Sequence, residues 1–270
     1  MKKLSGLIAA LLVLTLAFTG CSSNTGSEDT SSEGATTAAA ESGIPDKLIV
    51  GTNAEFPPFE FVNDDGEYDG FDIALMQAVC DKIGCEMEVS NMEFKSLLGA
   101  MQLNSIDVIA AAMTVTEDRK QSVDFSESYY EAKQVIIVDK DSDIASFSDL
   151  DGLKIGVQEG TTGDLFVTPG EDGALVQNAE VKRFKKGVDA VMDLKNGGVD
   201  AVVIDKNPAT EFVSSNEDTL KIVEDDAAKE EYAYAVAKGN TELADAINQA
   251  VEELKADGTY DALVKEYINE

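Results

Sequence analysis

The sequence predicts a two-lobed α/β protein whose lobes are connected by two crossover strands. After Pro45, short apolar runs alternate with amphipathic runs, a pattern typical of a parallel sheet covered by helices. The sequence segment 48–53 recurs in similar form at 153–158. A second segment, 105–109, recurs at 198–202, so the two repeated segments follow one another in the same order in both halves. We therefore expect two similar lobes.

In the first half, the hydrophobic spacing predicts the order β-α-β-α-β. Apolar residues between Phe71 and Val79 share one face at helical spacing. In chain order, the predicted elements are a strand over 47–53, a helix over 71–83, a strand over 85–91, a helix over 93–103 and a strand over 106–113.

The second half repeats the alternation and then departs from it. Strands are expected over 153–158, 179–184, 199–204 and 220–223, with helices over 161–167, 187–195 and 209–214. The chain ends with an alternating strand over 231–237 and helices over 241–256 and 260–268.

Two elongated strands, over 133–138 and 231–237, are placed to connect the lobes. If both cross over, lobe I comprises 46–136 plus 232–270, and lobe II comprises 137–231. Two crossing strands make a hinge, and the cleft between hinged lobes can open and close.

The first 20 residues predict a secretory signal rather than part of the fold. A cationic start precedes the apolar run 7–18, which is shorter than the ~20 residues of a membrane-spanning helix. The run leads through small residues to Cys21 and resembles the lipobox of bacterial lipoproteins, which implies that Cys21 carries a lipid. An ordinary secretory signal with an incidental Cys21 is the alternative. Residues 22–42 lack aromatic and large aliphatic side chains, which predicts a disordered tether over 21–45.

Composition excludes several classes of function. The 270-residue chain has a formal net charge of -31, which disfavours binding to nucleic acids because they require a basic surface. It contains no histidine, so it cannot form a Ser-His-Asp triad or a His-ligated zinc site. We predict neither a metal nor a cofactor.

Cys80 and Cys85 flank Gly84, whose turn would bring a helix end back toward the next strand. Outside the cytoplasm a disulfide is permitted, and two free thiols are the alternative. Two cysteines without histidine are too few ligands for zinc.

Ligand chemistry is expected where the strands end, because ligands of open α/β sheets collect at the carboxyl ends of strands. The residues at these points in lobe I are Asn53, Phe56, Phe94, Ala112 and Thr114. Those in lobe II are Gln158, Thr161, Thr162 and Asp205. Thr161 and Thr162 lead into a helix, whose free N–H groups and threonine hydroxyls favour an anionic ligand atom.

Two charged residues stand out among these candidates. Arg119 is one of two arginines among 21 basic residues, and its guanidinium suits bidentate capture of a carboxylate. A salt bridge to Glu117 or Asp124 is the alternative. Asp205 ends an apolar strand, where a ligand ammonium would compensate its charge. A helix cap or a pair with Lys206 is the alternative.

Several segments resemble the polar amino-acid-binding proteins of bacterial ABC importers, which include the histidine-, glutamine- and lysine/arginine/ornithine-binding proteins. The segments are GTNAEFPPFEF at 51–61, GFDIA at 70–74, 106–119, 124–130, 160–162 and 256–260. The resemblance implies the type II periplasmic-binding-protein-like fold and binding without turnover. It also implies an extracytoplasmic location at the cell membrane and a Cys80–Cys85 disulfide, which some members have.

The resemblance also implies a role for each site residue. Arg119 would hold the ligand α-carboxylate with Thr114 and Thr162. Asp205 would hold the α-ammonium with the Ala112 carbonyl and the Thr114 hydroxyl. The remaining pairs would surround the ligand side chain: Phe56 and Phe94 as walls along its stem, Asn53 and Gln158 at its variable end.

The neutral amide of Asn53 stands where relatives that prefer cationic ligands place an acid. It favours neutral polar ligands such as glutamine, with cystine or, because of Glu55, a basic amino acid as alternatives. The implied partners are a free amino acid, a permease and its ATPase. We expect a monomer that contacts the membrane only through its lipid. An aromatic-precursor dehydratase or an amino-acid sensor module is the alternative function.

Overall fold

The structure is a computed structural model that describes residues 44–268, without the side chains of 226–228. The predicted signal peptide, Cys21 and all but the end of the predicted tether lie outside the described residues. Within the described part, no helix is both long enough and apolar enough to span a membrane.

Lobe I begins with a parallel sheet and a small antiparallel one. Its elements before the first crossover are β1 (Lys47–Thr52), β2 (Glu55–Phe56), β3 (Glu60–Val62), β4 (Tyr68–Asp69), α1 (Phe71–Ile83), β5 (Glu86–Asn91), α2 (Leu97–Gln102), β6 (Val108–Ile109) and β7 (Val123–Phe125). β1 lies between β5 and β6 and is parallel to both. The small sheet, β2-β3-β4, was not predicted.

Lobe II follows, and the chain then returns to lobe I. Its elements are β8 (Tyr130–Asp139), β9 (Lys154–Gln158), α3 (Thr162–Val167), β10 (Glu180–Phe184), α4 (Gly187–Lys195), β11 (Ala201–Asp205), α5 (Lys206–Ser214) and β12 (Leu220–Tyr232). The last elements are β13 (Ala235–Ala237), α6 (Thr241–Ala256) and α7 (Thr259–Tyr267). β13 joins the sheet of lobe I between β6 and β7.

The two large sheets follow one plan. Their strand orders are β5-β1-β6-β13-β7 and β10-β9-β11-β8-β12. In each, three parallel strands are followed by an antiparallel one. The repeated sequence segments make equivalent hydrogen bonds in the two sheets. Asp107 accepts a hydrogen bond from the Ile49 N–H at 2.8 Å. Asp200 accepts one from the Lys154 N–H, also at 2.8 Å.

The crossover strands are longer than predicted and pair with each other. β8 and β12 form an antiparallel ladder that ends at the pair Tyr130 and Tyr232. The single strand predicted over 231–237 is wrong, because the chain changes sheets at Ala233 and Tyr234. Ala233 N–H donates to the Met113 carbonyl at 3.1 Å, and Tyr234 N–H donates to Ser126 Oγ at 3.0 Å.

The predicted lobe boundaries fall at these strands. The boundary between 136 and 137 lies within β8, and the boundary between 231 and 232 lies before the last residue of β12. Both boundaries stay predictions.

Three predicted elements also need correction. The helix predicted over 93–103 is a 3-10 turn, Phe94–Ser96, followed by α2. The strand predicted over 106–113 shrinks to β6, because the backbone of Ala112 leaves the extended conformation with a φ of 45°. The helix predicted over 209–214 begins at Lys206.

Cys80 and Cys85 are free thiols in this structure, unlike the expected disulfide. Gly84 ends α1 with a left-handed φ of 82°, and the N–H groups of Gly84 and Cys85 both donate to the Cys80 carbonyl. Burial and a hydrogen bond to Cys85 raise the pKa of Cys80. The turn therefore brings the two thiols together without joining them, and the disulfide stays a prediction.

Candidate ligand-binding site

A small cavity lies between the lobes. Its walls are formed by Asn53, Phe56, Glu60, Phe94, Ala111, Ala112, Thr114, Arg119, Gln158, Thr161, Thr162 and Asp205. All ten residues proposed from the sequence thus surround one space, together with Ala111 and with Glu60, which was not anticipated.

Arg119 enters the cavity from a 3-10 turn, Arg119–Gln121, and is only 5% exposed. Its guanidinium donates to the Thr114 carbonyl at 2.7 Å and, across the cleft, to the Gly160 carbonyl at 3.1 Å. The guanidinium carbon also lies 5.4 Å from the centre of the Phe94 ring. Burial lowers the pKa of Arg119, and the nearby acids Glu230 and Asp205 oppose this effect.

The alternative partners of Arg119 are occupied elsewhere. Glu117 pairs with Lys120, and Asp124 pairs with Lys238. Among the described residues, no carboxylate forms a salt bridge with Arg119. The guanidinium is therefore buried with two neutral carbonyl partners and no countercharge in direct contact.

Asp205 reaches the cavity from lobe II and is also 5% exposed. It is the last residue of β11 and precedes α5, but its side chain does not cap that helix. Its carboxylate accepts a hydrogen bond from the Tyr232 hydroxyl. Burial and the charge of Glu230 raise the pKa of Asp205 to about 7. Lys206, its alternative partner, pairs with Glu224 instead.

Two further acids near the cavity were missed from the sequence. Glu60 lines the cavity at 1% exposure, and its Oε2 atom has no hydrogen-bond partner. Burial, with Asp72 and Asp205, raises the pKa of Glu60 well above its usual range. Glu60 lies within the motif at 51–61, so the motif itself was a signal. Glu230 sits between two charged residues, and nothing in its sequence context marks it as buried.

Glu230 joins both lobes through hydrogen bonds. Its Oε2 atom accepts from Thr114 Oγ1 and from Gln134 Nε2, each at 3.1 Å. The same Gln134 nitrogen donates to Thr162 Oγ1 at 3.3 Å. Glu230 thus orients both threonines that line the cavity.

Asn53 and Gln158 meet across the cleft. Asn53 Nδ2 donates to the Met92 carbonyl at 2.8 Å, and Gln158 Nε2 donates to Asn53 Oδ1 at 2.7 Å. Gln158 Oε1 is buried without a hydrogen-bond partner. The two amides therefore form a chain that ends in a free acceptor.

Three ion pairs join the lobes at the rim of the cleft. They are Lys95 with Glu159, Lys185 with Glu93, and Lys186 with Glu55. The lobes are thus closed in this structure. Glu55, the residue that made a basic ligand an alternative, pairs with Lys186 at the rim and does not line the cavity.

Two hinged lobes, closed over a small cavity that buries one cation and several acids, define a solute-binding protein. Residues 48–270 match the bacterial extracellular solute-binding proteins, family 3. The chain is 35% identical over 269 residues to the arginine-binding extracellular protein ArtP of Bacillus subtilis (strain 168), covering 99% of this chain and 98% of that protein.

Solved structures give the same result. An ancestral arginine-binding protein bound to arginine has a TM-score of 0.79 and 43% sequence identity, covering 83% of this chain and 99% of that chain. An ancestral arginine-binding protein bound to glutamine has a TM-score of 0.77 and 43% identity, covering 84% and 100%.

The chain belongs to the bacterial extracellular solute-binding proteins, family 3. The predicted family and the predicted two-lobed fold are therefore confirmed. The predicted class of function, the extracytoplasmic substrate-binding component of an amino-acid ABC importer, is confirmed as well.

Proposed function

We propose that the cavity binds one free amino acid as its zwitterion, with the carboxylate on Arg119 and the ammonium on Asp205. The observation that carries this proposal is the placement of these two buried charges, one from each lobe, on the walls of one cavity. A ligand that contacts both favours the closed form over the open one.

The carboxylate half of the site is built from donors. The guanidinium of Arg119 lacks a direct countercharge, and a buried charge without one is costly. A ligand carboxylate would supply that charge and accept hydrogen bonds from the fork of guanidinium N–H groups. Thr162, at the start of α3, adds a hydroxyl donor and a backbone N–H on the side of lobe II, whereas the Thr161 hydroxyl already donates to the Gln158 carbonyl.

The ammonium half is built from acceptors. Asp205 supplies a carboxylate, and the Ala112 carbonyl lies on the opposite lobe. Thr114 Oγ1 donates its proton to Glu230, which leaves its oxygen as an acceptor. Glu60 adds a second carboxyl group whose Oε2 atom is unpaired. An ammonium has three N–H donors and no acceptor, so it complements this set.

The side-chain end of the site favours ligands with N–H donors. The Met92 carbonyl can only accept, so the Asn53 amide nitrogen must face it. Asn53 Oδ1 then faces Gln158, which must present Nε2 there and keep Oε1 free. A ligand amide or guanidinium would satisfy that acceptor, whereas a ligand carboxylate would not.

Glutamine and arginine both carry such donors, and Phe56 and Phe94 would flank the apolar stem of either. The relatives support the same pair, since ArtP is named as arginine-binding and ancestral arginine-binding proteins were solved with arginine and with glutamine. We therefore propose glutamine and arginine as the ligands to test first.

The remaining elements of the function are also proposals. Cys21 would carry the lipid anchor, and a monomer would deliver the ligand to a permease and its ATPase. The chain would bind its ligand without converting it, and would use neither metal nor cofactor.

Calorimetric titration of the ligand-stripped protein tests the proposal. We expect one site per chain for arginine or glutamine and no measurable heat for glutamate. The matched pair of glutamine and glutamate differs only at the side-chain end, so it isolates the role of Gln158. No heat with any amino acid would contradict the function, and equal affinity for glutamine and glutamate would contradict the role of Gln158.

A further inference from the structure

The motif at 70–74 does not line the cavity, but Asp72 within it accepts a hydrogen bond from the backbone of Ala112, which does. We propose that Asp72, within this motif, is a positioning residue that holds the turn at Ala112 in its ligand-binding conformation. This inference rests on the proposed function, because it concerns the acceptor that Ala112 offers to the ligand ammonium.

The backbone of Ala112 is the first observation. Its φ of 45° lies in the left-handed region, which residues with a Cβ atom rarely adopt. Such a conformation persists only where the surrounding structure imposes it. Ala112 also lines the cavity, so its conformation sets the direction of a carbonyl beside the ligand.

Asp72 supplies the constraint. Its Oδ2 atom accepts a hydrogen bond from the Ala112 N–H at 2.7 Å and one from the Tyr129 hydroxyl at 2.6 Å. The side chain is fully buried, and its Oδ1 atom has no partner. A buried acid with one unpaired oxygen is costly for stability alone, which points to a role in holding the turn.

Gly70 explains how Asp72 comes so close. A Cβ atom at Gly70 would lie 2.4 Å from the Phe59 carbonyl oxygen, and the φ of Gly70 is 115°. The N–H groups of Phe71 and Asp72 donate to the carbonyls of Pro58 and Phe59 at 2.9 and 2.8 Å. Only glycine therefore permits α1 to start against this segment, with Asp72 beneath the turn.

A double-mutant cycle separates positioning from general stability. Asp72→Ala removes the acceptor, and we expect it to weaken binding of the preferred amino acid about tenfold. Ala112→Gly removes the conformational penalty, since glycine adopts this φ freely. In the double variant, we expect Ala112→Gly to restore most of the lost affinity. Asp72→Asn keeps an acceptor oxygen and serves as the matched control, with affinity within about threefold of wild type.

Several outcomes would overturn the inference. Unchanged affinity in Asp72→Ala, or no rescue by Ala112→Gly, would reduce Asp72 to a structural residue. If Asp72→Ala does not fold, amide hydrogen exchange of the wild-type protein decides, because the Ala112 N–H must then be strongly protected. Fast exchange there would refute the inference. Failure of the wild-type protein to bind any amino acid would instead refute the proposed function.

Discussion

β6 of lobe I and β11 of lobe II occupy equivalent places in sheets of the same plan. Each follows an aspartate, Asp107 or Asp200, that accepts a hydrogen bond from the neighbouring strand. Five residues after these aspartates, the lobes differ. Lobe I presents the backbone of Ala112, with Asp72 buried beneath it, whereas lobe II presents the carboxylate of Asp205 itself.

The difference shows how one sheet plan gives two complementary half-sites. Lobe I contributes the cation Arg119 together with the Ala112 carbonyl, Thr114 and the carboxyl group of Glu60. Lobe II contributes the acid Asp205 and the N–H groups at the start of α3. Arg119 and Asp205 come from different lobes, so under the proposed function a zwitterion contacts both charges only when the lobes close.

The largest expected effect comes from removing either charge. We expect Arg119→Ala and Asp205→Ala each to abolish measurable binding, because each leaves one end of the ligand unpaired in a buried site. Such losses typically exceed about 100-fold. Titration calorimetry measures them. Arg119→Lys, which keeps the charge but not the fork, is the matched control and should also bind weakly. Wild-type affinity in either alanine variant would contradict the proposal that the two lobes each bind one charged end of the ligand.

The next prediction concerns Asn53 and Gln158, which are equivalent positions at the ends of β1 and β9. Only Gln158 has a free acceptor. Gln158→Ala should reduce the preference for glutamine over glutamate about tenfold, since the unpaired oxygen that rejects a carboxylate is gone. Competition binding with both ligands measures this ratio. An unchanged preference for glutamine over glutamate would show that a group other than Gln158 distinguishes the two ligand side chains.

A smaller effect is expected from pH. The pKa of Asp205 is about 7 in the folded protein, against ~3.9 in an unfolded chain. Between these values the folded protein holds the extra proton, so its free energy of unfolding falls as the pH rises. Ligand-free protein should therefore melt at a higher temperature at pH 5 than at pH 8, by about 5 °C.

Ligand binding should show the opposite trend, because the ammonium needs the ionised carboxylate. Affinity should fall as the pH drops below about 7, by up to about tenfold per pH unit. Asp205→Asn is the control for the melting experiment, in which the slope should diminish. Parallel pH trends for stability and affinity would contradict this role of Asp205.

The smallest effects should come from the repeated aspartates. Asp107 and Asp200 make the same hydrogen bond, but that of Asp107 is partly buried and that of Asp200 is exposed. Removing each with alanine should cost about 0.5 to 1.5 kcal/mol of unfolding free energy, with the larger loss for Asp107. Chemical denaturation measures both. A larger loss of unfolding free energy for Asp200→Ala would contradict the view that the two aspartates are equivalent and differ only in burial.

Hydrophobic spacing and the repeated sequence segments were sufficient to predict the two similar sheets. The helices α1, α4 and α6 have the predicted bounds. The strand predicted over 106–113 failed because Ala112, an ordinary residue in a small apolar run, adopts a left-handed φ that only tertiary contacts impose. The change of sheets after Tyr232 was missed for a similar reason, since it depends on hydrogen bonds to Met113 and Ser126.

The site was predicted where chemistry and position coincide. Arg119 stands out because it is one of two arginines in the chain, and Asp205 stands out because it ends an apolar strand. Glu60 and Asp72 were missed as site residues because burial, and not residue type, gives an acid its role in an acidic chain. The direction of the amide chain from Met92 to Gln158 also depends on contacts across the cleft, which no local pattern records.

A structure of the protein crystallised with arginine or glutamine tests the central claim most directly. We predict a ligand carboxylate within hydrogen-bond distance of the Arg119 guanidinium and an ammonium within the same distance of the Asp205 carboxylate. A ligand bound in the reverse orientation, or bound outside the cavity between the lobes, would contradict the account.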